Sequence, residues 1–258
     1  DEETYEVYGE AYQLYTTKVI ETIGKYNYLP ENYEGGLEAL RSIDPTNNDY
    51  LARYLSIEDL KQYYEVKELT NSQNEDGGWG ILPGHSSNTV DTMLAVKALI
   101  NNSQYHNTET MNRALQYLTE KQDHNGSWSY TEKSNPNIAL TAEITIILSK
   151  FRTSSKLTSN ELETSIHKGT EYLVSKQESD GTWGTDKDNI NGTLLSYRAV
   201  SSILGETYVE GIHEKIKDMQ DDKGSWYEDA YTTALAIDAL KTKGKKNIIT
   251  KLDNIKTY

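Results

Sequence analysis

Apolar and polar residues along the chain form pairs of helical segments, and a glycine-containing turn joins the two segments of each pair. The first segment is amphipathic: before Gln122, for example, Ala114, Leu115 and Leu118 recur on one face between polar residues. The second segment is more apolar, and its four examples cover residues 90–100, 139–148, 194–204 and 230–240. This pattern predicts outer helices with one solvent-facing side and inner helices that are more deeply buried.

The turns between paired segments share one motif, Gln-x3-Gly-x-Trp, which contains every tryptophan of the chain. Its four copies are Gln73, Gly77 and Trp79; Gln122, Gly126 and Trp128; Gln177, Gly181 and Trp183; and Gln220, Gly224 and Trp226. Glycine at this place supplies a positive φ and ends the outer helix. The repeated motif predicts an all-α fold of at least four helical hairpins, in which the Gln and Trp side chains are structural.

Residues 1–55 lack the motif but still contain helical patterns. Residues 5–26 are predicted to form a helix that Pro30 ends, and residues 36–60 contain shorter helical pieces. Because terminal repeats are usually atypical, we interpret residues 1–55 as an N-terminal helical cap or a degenerate fifth repeat. This N-terminal region and the repeats of residues 56–258 are predicted to form one compact domain. The last predicted helix covers residues 245–258.

The charged residues of the inner segments fall on one side of each predicted helix. The segments can be aligned on Thr92, Thr141, Ser196 and Thr233. Small residues then recur at positions 0, +3 and +6 in three segments, which lets neighbouring helices approach closely. The charged residues stand at positions −1, +2 and +5, and they are Asp91, Lys97, Glu143, Arg198 and Asp238. If the inner helices form a ring, this side faces a central bore.

The charged side has two interpretations that the sequence leaves open. It is either a belt of structural ion pairs around a solvated hole, in which Glu143 and Arg198 share position +2 and can pair, or a ligand site. In a ligand site Lys97 and Arg198 bind, and Asp91, Glu143 or Asp238 is the candidate acid or base. The loops after each Trp are a second candidate, because they rim one mouth of the ring. Their polar side chains suit a hydroxyl-rich ligand: His85, Asn88, Asn135, Asn137, Asp188, Asn189, Tyr227 and Glu228.

Charge and composition narrow the range of partners. The chain has 26 Lys and Arg against 40 Asp and Glu, and its net charge of −14 repels nucleic acid and anionic membranes. Cysteine is absent and the five histidines lack metal-ligand spacing, so neither a metal nor another cofactor is expected. No apolar run is long enough to insert into a membrane, and we expect a monomer. The 20 tyrosines against one phenylalanine favour a bacterial extracellular or cell-surface protein, with the cytoplasm as the alternative.

The Gln-x3-Gly-x-Trp motif, followed by a helix rich in Thr, Ala and Leu, resembles the QW repeat of squalene and oxidosqualene cyclases and of protein prenyltransferase β subunits. The resemblance covers residues 58–241 and all four copies of the motif. It implies an α/α toroid, with inner helices around a cavity and outer helices around them. It also implies that the Gln and Trp side chains stack and tie the outer helix ends to the loops.

The catalytic motifs of these families are only partly present. Triterpene cyclases protonate their substrate with an Asp-x-Asp-Asp-Thr-Ala motif, and the closest segment here runs from Asn88 to Met93. It keeps the last Asp and the Thr, but Val90 stands where the resemblance implies the proton-donating Asp. Valine cannot donate a proton. The zinc site of prenyltransferases and the thioester of complement-like domains both need a cysteine, which the chain lacks.

The sequence therefore predicts a terpenoid cyclase-like toroid that binds a polar ligand, a glycan or a peptide, in its central cavity or loop mouth. Class II cyclase activity is not expected, because cyclases line their cavity with aromatic and apolar groups rather than charges. Fold alone does not decide activity, and two alternatives stay open. One is a divergent enzyme on the same toroid, either a terpenoid cyclase or a carbohydrate-active hydrolase or lyase. The other is a structural module of a longer exported protein.

Overall fold

The structure of the protein, a computed structural model, describes most of the chain. The described residues are 15–27, 30–43, 45, 47–61, 66–101, 105, 108–131, 134–152, 159–186 and 189–240. The predicted helical residues 5–14, the predicted helix over residues 245–258, and Asp188 lie outside these ranges. Within the ranges the chain is helical, and β-structure is limited to two isolated bridges, Trp79 with Asn88 and Ser129 with Pro136.

The described ranges contain eleven α-helices. They are α1 (residues 15–25), α2 (Tyr33–Arg41), α3 (Asn48–Leu55), α4 (Val66–Asn71), α5 (Thr89–Ile100), α6 (Glu109–Glu120), α7 (Ile138–Ser149), α8 (Ser159–Ser175), α9 (Ile190–Leu204), α10 (Ile212–Asp218) and α11 (Ala230–Leu240). Short 3₁₀ helices, Glu58–Leu60 and Glu206–Val209, precede α4 and α10. The four predicted inner segments correspond to α5, α7, α9 and α11.

The helices form two concentric layers. Helices α3, α5, α7, α9 and α11 pack side by side in that order, and α4, α6, α8 and α10 pack on their outside. Helix α1 completes the inner layer, because Lys18 contacts Asp238 of α11 and Glu21 contacts Lys97 of α5. The other side of α1 packs on α2 through a buried cluster that contains Ile20. The fold is the predicted α/α toroid, and its inner layer includes six of the described helices.

The hydrophobic core lies between the two layers. One large cluster surrounds Trp79 and Trp128, and a second surrounds Trp183 and Trp226. The inner helices are apolar on most of their circumference, because they bury one side against the outer helices and two against their neighbours. None of the helices in the described part of the chain has the length and apolar content needed to cross a bilayer.

Each Gln-x3-Gly-x-Trp turn makes the same set of hydrogen bonds. The tryptophan indole N–H donates to the carbonyl oxygen of a residue ten positions earlier, on the outer helix, at 2.6–2.7 Å in all four copies. The glutamine side-chain amide donates to the carbonyl oxygen of the motif glycine at 2.7–2.9 Å. The amide of Gln122 also donates to the carbonyl oxygen of Ser165 on the next outer helix, at 2.9 Å. The tryptophans are 0–3% exposed, so each turn is anchored in the core.

The motif glycine is required by its backbone conformation and by its surroundings. Gly126 has a φ of 90°, which residues with a side chain rarely adopt. A Cβ atom there would lie 2.2 Å from the carbonyl oxygen of Lys168, and one at Gly77 would lie 2.5 Å from that of Arg113. The next outer helix therefore approaches these turns so closely that only glycine fits.

A threonine at the start of each inner helix accepts a hydrogen bond from the tryptophan backbone N–H. The acceptors are Thr92, Thr141, Thr193 and Thr233, at 2.8–3.0 Å. The alignment of the third inner helix on Ser196 is therefore wrong by three residues, because the loops between Trp and helix differ in length and Thr193 is the equivalent position. Arg198 then falls at position +5 rather than +2, at the same level as Lys97 and Asp238.

Candidate functional site

The inner helices surround a central bore, and two cavities lie in it. The mouth cavity, about 420 Å³, lies at the amino-terminal ends of the inner helices, where Val90, Tyr130 and Tyr231 line it. The floor cavity, about 530 Å³, lies at their carboxyl-terminal ends, where Asn101 and Lys150 line it. Five residues line both cavities and mark the boundary between them: Lys18, Glu21, Ser56, Lys97 and Glu143.

The carboxylate of Asp238 is the centre of an ion cluster at the floor cavity. It accepts hydrogen bonds from Lys18 and Lys25 of α1, both at 2.8 Å, and it lies 3.8 Å from Arg198 of α9. Asp238 is 3% exposed and Lys18 is 6% exposed. Because burial disfavours an unpaired charge, the Asp238 carboxylate stabilises the charged form of the cations around it. Burial by itself raises the pKa of the Asp238 carboxyl, but the three cations outweigh burial and hold it well below its usual range. Asp238 is therefore not suited to act as a general acid.

A second carboxylate, that of the half-buried Glu21, ties α1 to α5. It lies 3.4 Å from Lys97 and 3.5 Å from Lys18. Burial raises the pKa of the Glu21 carboxyl, yet Lys97 and Lys18 outweigh burial and lower this pKa to about 2. Burial likewise disfavours the charged form of Lys18, but Glu21 and Asp238 raise its pKa above the ordinary value. Glu21 and Lys18 therefore both stay charged over a wide pH range.

A group of polar side chains from three helices faces the mouth cavity. Arg53 of α3 donates two hydrogen bonds to Asp49 one turn earlier, one of them at 3.1 Å. Burial disfavours the charged form of Arg53, but Asp49 outweighs burial and raises the pKa of the guanidinium, with help from Tyr231 and Glu143. Burial, and then Glu143, raises the pKa of the Tyr231 phenol to about 12. The cavity wall thus combines a guanidinium, a carboxylate and a phenol that keeps its proton.

Four of the five charged residues that were predicted to face the bore line its cavities. Glu143 and Lys97 line both cavities, and Arg198 and Asp238 line the floor cavity. Arg198 pairs with Asp238, and no ion pair joins it to Glu143 within the described ranges. The expected pair of Glu143 and Arg198 is therefore wrong. The two residues stand at different levels, +2 and +5, once Thr193 is the reference position.

Asp91, the remaining charged residue, lies outside both cavities although it is only 6% exposed. It is in the first turn of α5, where its backbone N–H donates to the Asn88 side chain at 2.9 Å and its carboxylate accepts from the Asn88 amide. Each step of three residues along a helix changes the side-chain direction by about 60°, so position −1 is rotated away from the bore. Burial raises the pKa of the Asp91 carboxyl, although the hydrogen bond from Asn88 opposes this shift.

The polar residues of the loops complete helix ends and turns. Asn88 and Asn137 cap α5 and α7, because each side chain accepts a hydrogen bond from the backbone N–H three residues later. Tyr227 donates its hydroxyl hydrogen to a carbonyl of the preceding loop, and Glu228 pairs with a lysine of its own turn at 2.9 Å. His85 is exposed. These loop residues are not among the described residues that line the two cavities. The structure therefore does not bring them together with the charged residues of the cavity wall.

Val90 lines the mouth cavity at the first turn of α5. This is the position at which the cyclase resemblance implies the proton-donating Asp. The next lining residues on the same helix are Met93 and Leu94, so this part of the wall is apolar. The carboxylate next in sequence, Asp91, is engaged with Asn88 instead. The side chain at that position, valine, cannot donate a proton.

The charged residues that α1 contributes to the bore were not predicted from the sequence. Lys18, Glu21 and Lys25 recur at i, i+3 and i+7, a spacing that places them on one face of a helix. This is the same kind of charged side as on the predicted inner helices, and it was a usable signal. It went unused because no Gln-x3-Gly-x-Trp motif precedes this helix.

The described residues offer no set of donors for a metal ion. No group of three or more His, Asp or Glu side chains converges among them. The carboxylates of Glu21 and Asp238 are already paired with lysines.

Several solved structures share this fold. The ent-copalyl diphosphate synthase from Streptomyces platensis has a TM-score of 0.61 and 14% identity, over 90% of this chain and 50% of that one. A protein from Actinoplanes has a TM-score of 0.58 and 11% identity, over 95% of this chain and 69% of that one. The type II terpene cyclase MstE from Scytonema has a TM-score of 0.55 and 14% identity, over 93% and 65%. The chain thus spans about half the length of the Streptomyces synthase, and the likeness shows the fold.

Sequence comparison identifies the family. A search of curated proteins finds no match. Residues 42–195, more than half of the chain, match the family model described as the squalene-hopene cyclase C-terminal domain. The matched range begins before α3, ends within α9, and contains three of the four Gln-x3-Gly-x-Trp motifs. The chain therefore belongs to the squalene-hopene cyclase C-terminal domain family.

Proposed function

We propose that this toroid binds a polar ligand, a glycan or a peptide, in the mouth cavity of its bore, and that it lacks class II cyclase activity. The charged wall of the mouth cavity carries the proposal. Arg53, Lys97 and Glu143 line this cavity from three different inner helices. A hydrocarbon ligand would remove water from these groups without replacing their hydrogen bonds, which is costly. A ligand with hydroxyl or amide groups replaces those hydrogen bonds.

The tyrosines of the mouth cavity support a ligand with flat or ring-shaped parts. Tyr15, Tyr130 and Tyr231 line the cavity, and the rings of Tyr15 and Tyr231 are in edge-to-face contact with centroids 5.9 Å apart. Tyr130 belongs to the loop after Trp128 and is 48% exposed, so one face of its ring is open to a ligand. Aromatic rings with polar tips are common in sites that combine stacking with hydrogen bonding. The cavity volume of about 420 Å³ lies in the usual range for small-ligand pockets.

The proposed lack of cyclase activity is supported by the residues that replace the acid. Val90 lines the cavity at the position of the proton donor and cannot supply a proton. Asp238 is held ionised by three cations. One structure of the Scytonema enzyme is a complex with its substrate, geranylgeranyl dihydroxybenzoate. That ligand is largely hydrocarbon, whereas the wall described above is rich in charges.

A second candidate function is a divergent enzyme that uses Asp91 as its acid. The observation in its favour is the raised pKa of the Asp91 carboxyl, which burial causes and which helps an acid keep its proton near neutral pH. Asp91 lies outside both cavities and is held by Asn88, so substrate binding would have to release this contact. An enzymatic assay decides between the candidates.

The binding proposal is tested by titrating the isotope-labelled protein with defined neutral oligosaccharides and, separately, with defined short peptides, followed by NMR and calorimetry. We expect saturable binding of one class, with shifted signals from residues of α3, α5 and α7 that line the mouth cavity. Tyr130→Ala should weaken binding roughly three- to tenfold, the usual value of an aromatic contact. Tyr208→Ala is the matched control, because Tyr208 is 59% exposed but lines neither cavity. Equal effects of the two variants, or no binding of either class, would overturn the proposal.

The proposed lack of cyclase activity is tested by incubation with squalene, oxidosqualene and geranylgeranyl diphosphate. We expect no cyclised product by mass spectrometry. Turnover that Asp91→Asn abolishes and Tyr208→Ala leaves intact would instead make Asp91 a relocated acid and establish the second candidate.

A further inference from the structure

We infer that the floor cavity is a second binding site, separate from the mouth cavity, for a small organic ligand that carries a multiply charged oxyanion such as a phosphate or polycarboxylate group. This site goes beyond the proposed function, and neither depends on the other. The inference follows from the arrangement of cations around the cavity and from the hydrogen-bond donors that they leave unused.

Cations outnumber the carboxylates that pair with them at this cavity. Five cationic side chains line it: Lys18, Lys25, Lys97, Lys150 and Arg198. Among the described residues only two carboxylates contact them: Asp238 is shared by three of the cations, and Glu21 by two.

The other carboxylates of the floor cavity are engaged or lie at its boundary. Glu58 pairs with Lys61, and Asp59 accepts a hydrogen bond from Tyr33 at 2.6 Å. Glu143 lines both cavities, and its charge contributes to the raised pKa of Arg53 at the mouth. The cations therefore exceed the carboxylates that contact them, although the whole lining contains five cationic and five carboxylate side chains.

Lys150 is the cation of this group that lacks a counterion. It follows the last residue of α7, is exposed, and lines the floor cavity. Within the described part of the chain its ammonium group makes no hydrogen bond or ion pair. Desolvation, and then Arg198, Lys25 and Lys97, lower its pKa, which shows that these like charges act on it. An anion placed between them would remove this repulsion.

Arg198 supplies the geometry for recognising an oxyanion. Its guanidinium is 3.8 Å from Asp238, too far for a hydrogen bond, and its side chain is 20% exposed. The described residues provide no hydrogen-bond acceptor for its side-chain N–H groups. A free guanidinium binds carboxylate and phosphate oxygens in pairs, because its N–H groups form a planar fork. Arg198 would thus orient the anion while Lys150 and Lys25 add charge, in a cavity of about 530 Å³ that also has room for an organic part.

The inference is tested by calorimetric titration of the full chain with inorganic phosphate and with citrate at low ionic strength, and with neutral glucose as a control. We expect saturable binding of at least one anion and none of glucose. Preference for phosphate would indicate a phosphorylated ligand, and preference for citrate a polycarboxylate. The absence of binding by either anion overturns the inference.

Matched variants separate the site from general charge effects. Lys150→Met should weaken anion binding about tenfold or more, the usual loss for one charge-assisted hydrogen bond, and Arg198→Gln should act in the same direction. Lys67→Met removes the same charge from an exposed position on α4 and should leave anion binding unchanged. Tyr130→Ala, which alters the mouth cavity, should also leave it unchanged. Equal weakening by Lys67→Met and Lys150→Met would show unspecific attraction and refute the site, whatever the outcome at the mouth cavity.

Discussion

The four turns at the rim of the toroid make the same contacts, whereas the wall of its bore differs from one inner helix to the next. Each of the four turns repeats the same hydrogen bonds: the indole N–H donates to an outer-helix carbonyl, the glutamine amide donates to the glycine carbonyl, and the tryptophan backbone N–H donates to a threonine hydroxyl oxygen. The wall instead changes its charged residue from one inner helix to the next, in the order Lys97, Glu143, Arg198 and Asp238. The comparison indicates that the turns maintain the fold, while the wall, which differs from helix to helix, is the part that the proposed binding function depends on.

The two regions also differ in the distance along the chain over which their contacts act. The indole hydrogen bond of each turn joins residues ten positions apart. The ion pair of Lys18 and Asp238 joins residues 220 positions apart and forms only when α1 meets α11. A change in a turn therefore affects one repeat and its neighbours, whereas a change in this pair affects the closure of the ring.

The largest expected effect is the loss of a motif tryptophan. Trp128 is fully buried, and Trp128→Ala should lower the free energy of unfolding by about 3–5 kcal/mol, because it removes a large apolar side chain and leaves a cavity. Denaturant unfolding followed by circular dichroism measures this value, with Tyr208→Ala as the exposed control. An unchanged unfolding midpoint would contradict the structural role of the motif.

The buried ion cluster should rank next. Asp238→Asn leaves the buried Lys18 without its nearest counterion, and we expect a loss of about 3 kcal/mol. Glu163→Gln is the surface control, since Glu163 pairs with Arg152 where both side chains are exposed, and it should cost less than about 1 kcal/mol. If the two variants lost equal stability in the same unfolding experiment, the cluster would not be a buried structural element.

The pH dependence of stability tests Glu21. Its pKa is lowered to about 2 in the folded protein, so its contribution is present above its ordinary pKa of 4.5 and is lost as pH falls toward 2. We expect wild type to lose on the order of 2 kcal/mol more than Glu21→Gln over this range, after partial exposure of the side chain is taken into account. Denaturant unfolding at a series of pH values measures the difference. Parallel pH curves for the two proteins would show that the ion pairs of Glu21 do not stabilise the folded protein.

The smallest expected effect sharpens the comparison at a single position. Thr193→Val removes the acceptor of the Trp183 backbone N–H and should cost about 1–2 kcal/mol, because a buried donor is left without a partner. Ser196→Ala, one turn later, should cost much less, since the buried Ser196 hydroxyl has no partner within the described ranges. A larger loss from Ser196→Ala would restore the original alignment on Ser196.

The sequence was sufficient for the regular part of the molecule and insufficient for the irregular part. Four copies of one motif predicted the toroid and its inner helices, because identical local contacts leave identical spacings. The position of Arg198 along its helix was predicted wrongly, because the loops after Trp vary in length and shift the start of the inner helix. The charges of Lys18 and Lys25 were not predicted because no Gln-x3-Gly-x-Trp motif precedes α1, although their spacing places them on one helix face. Their contacts with Asp238 join the two ends of the described chain, and the sequence does not show that these ends meet.

The central claim about the molecule is that α1 closes the ring and places its charges in the bore. A double-mutant cycle of Lys18→Met and Asp238→Leu tests this claim by denaturant unfolding. A buried pair predicts that each single variant is destabilised and that the double variant is more stable than the sum of the two losses implies, with a coupling of more than about 1 kcal/mol. Losses that add to within about 0.5 kcal/mol would show that the two side chains do not meet, and would contradict the charged bore.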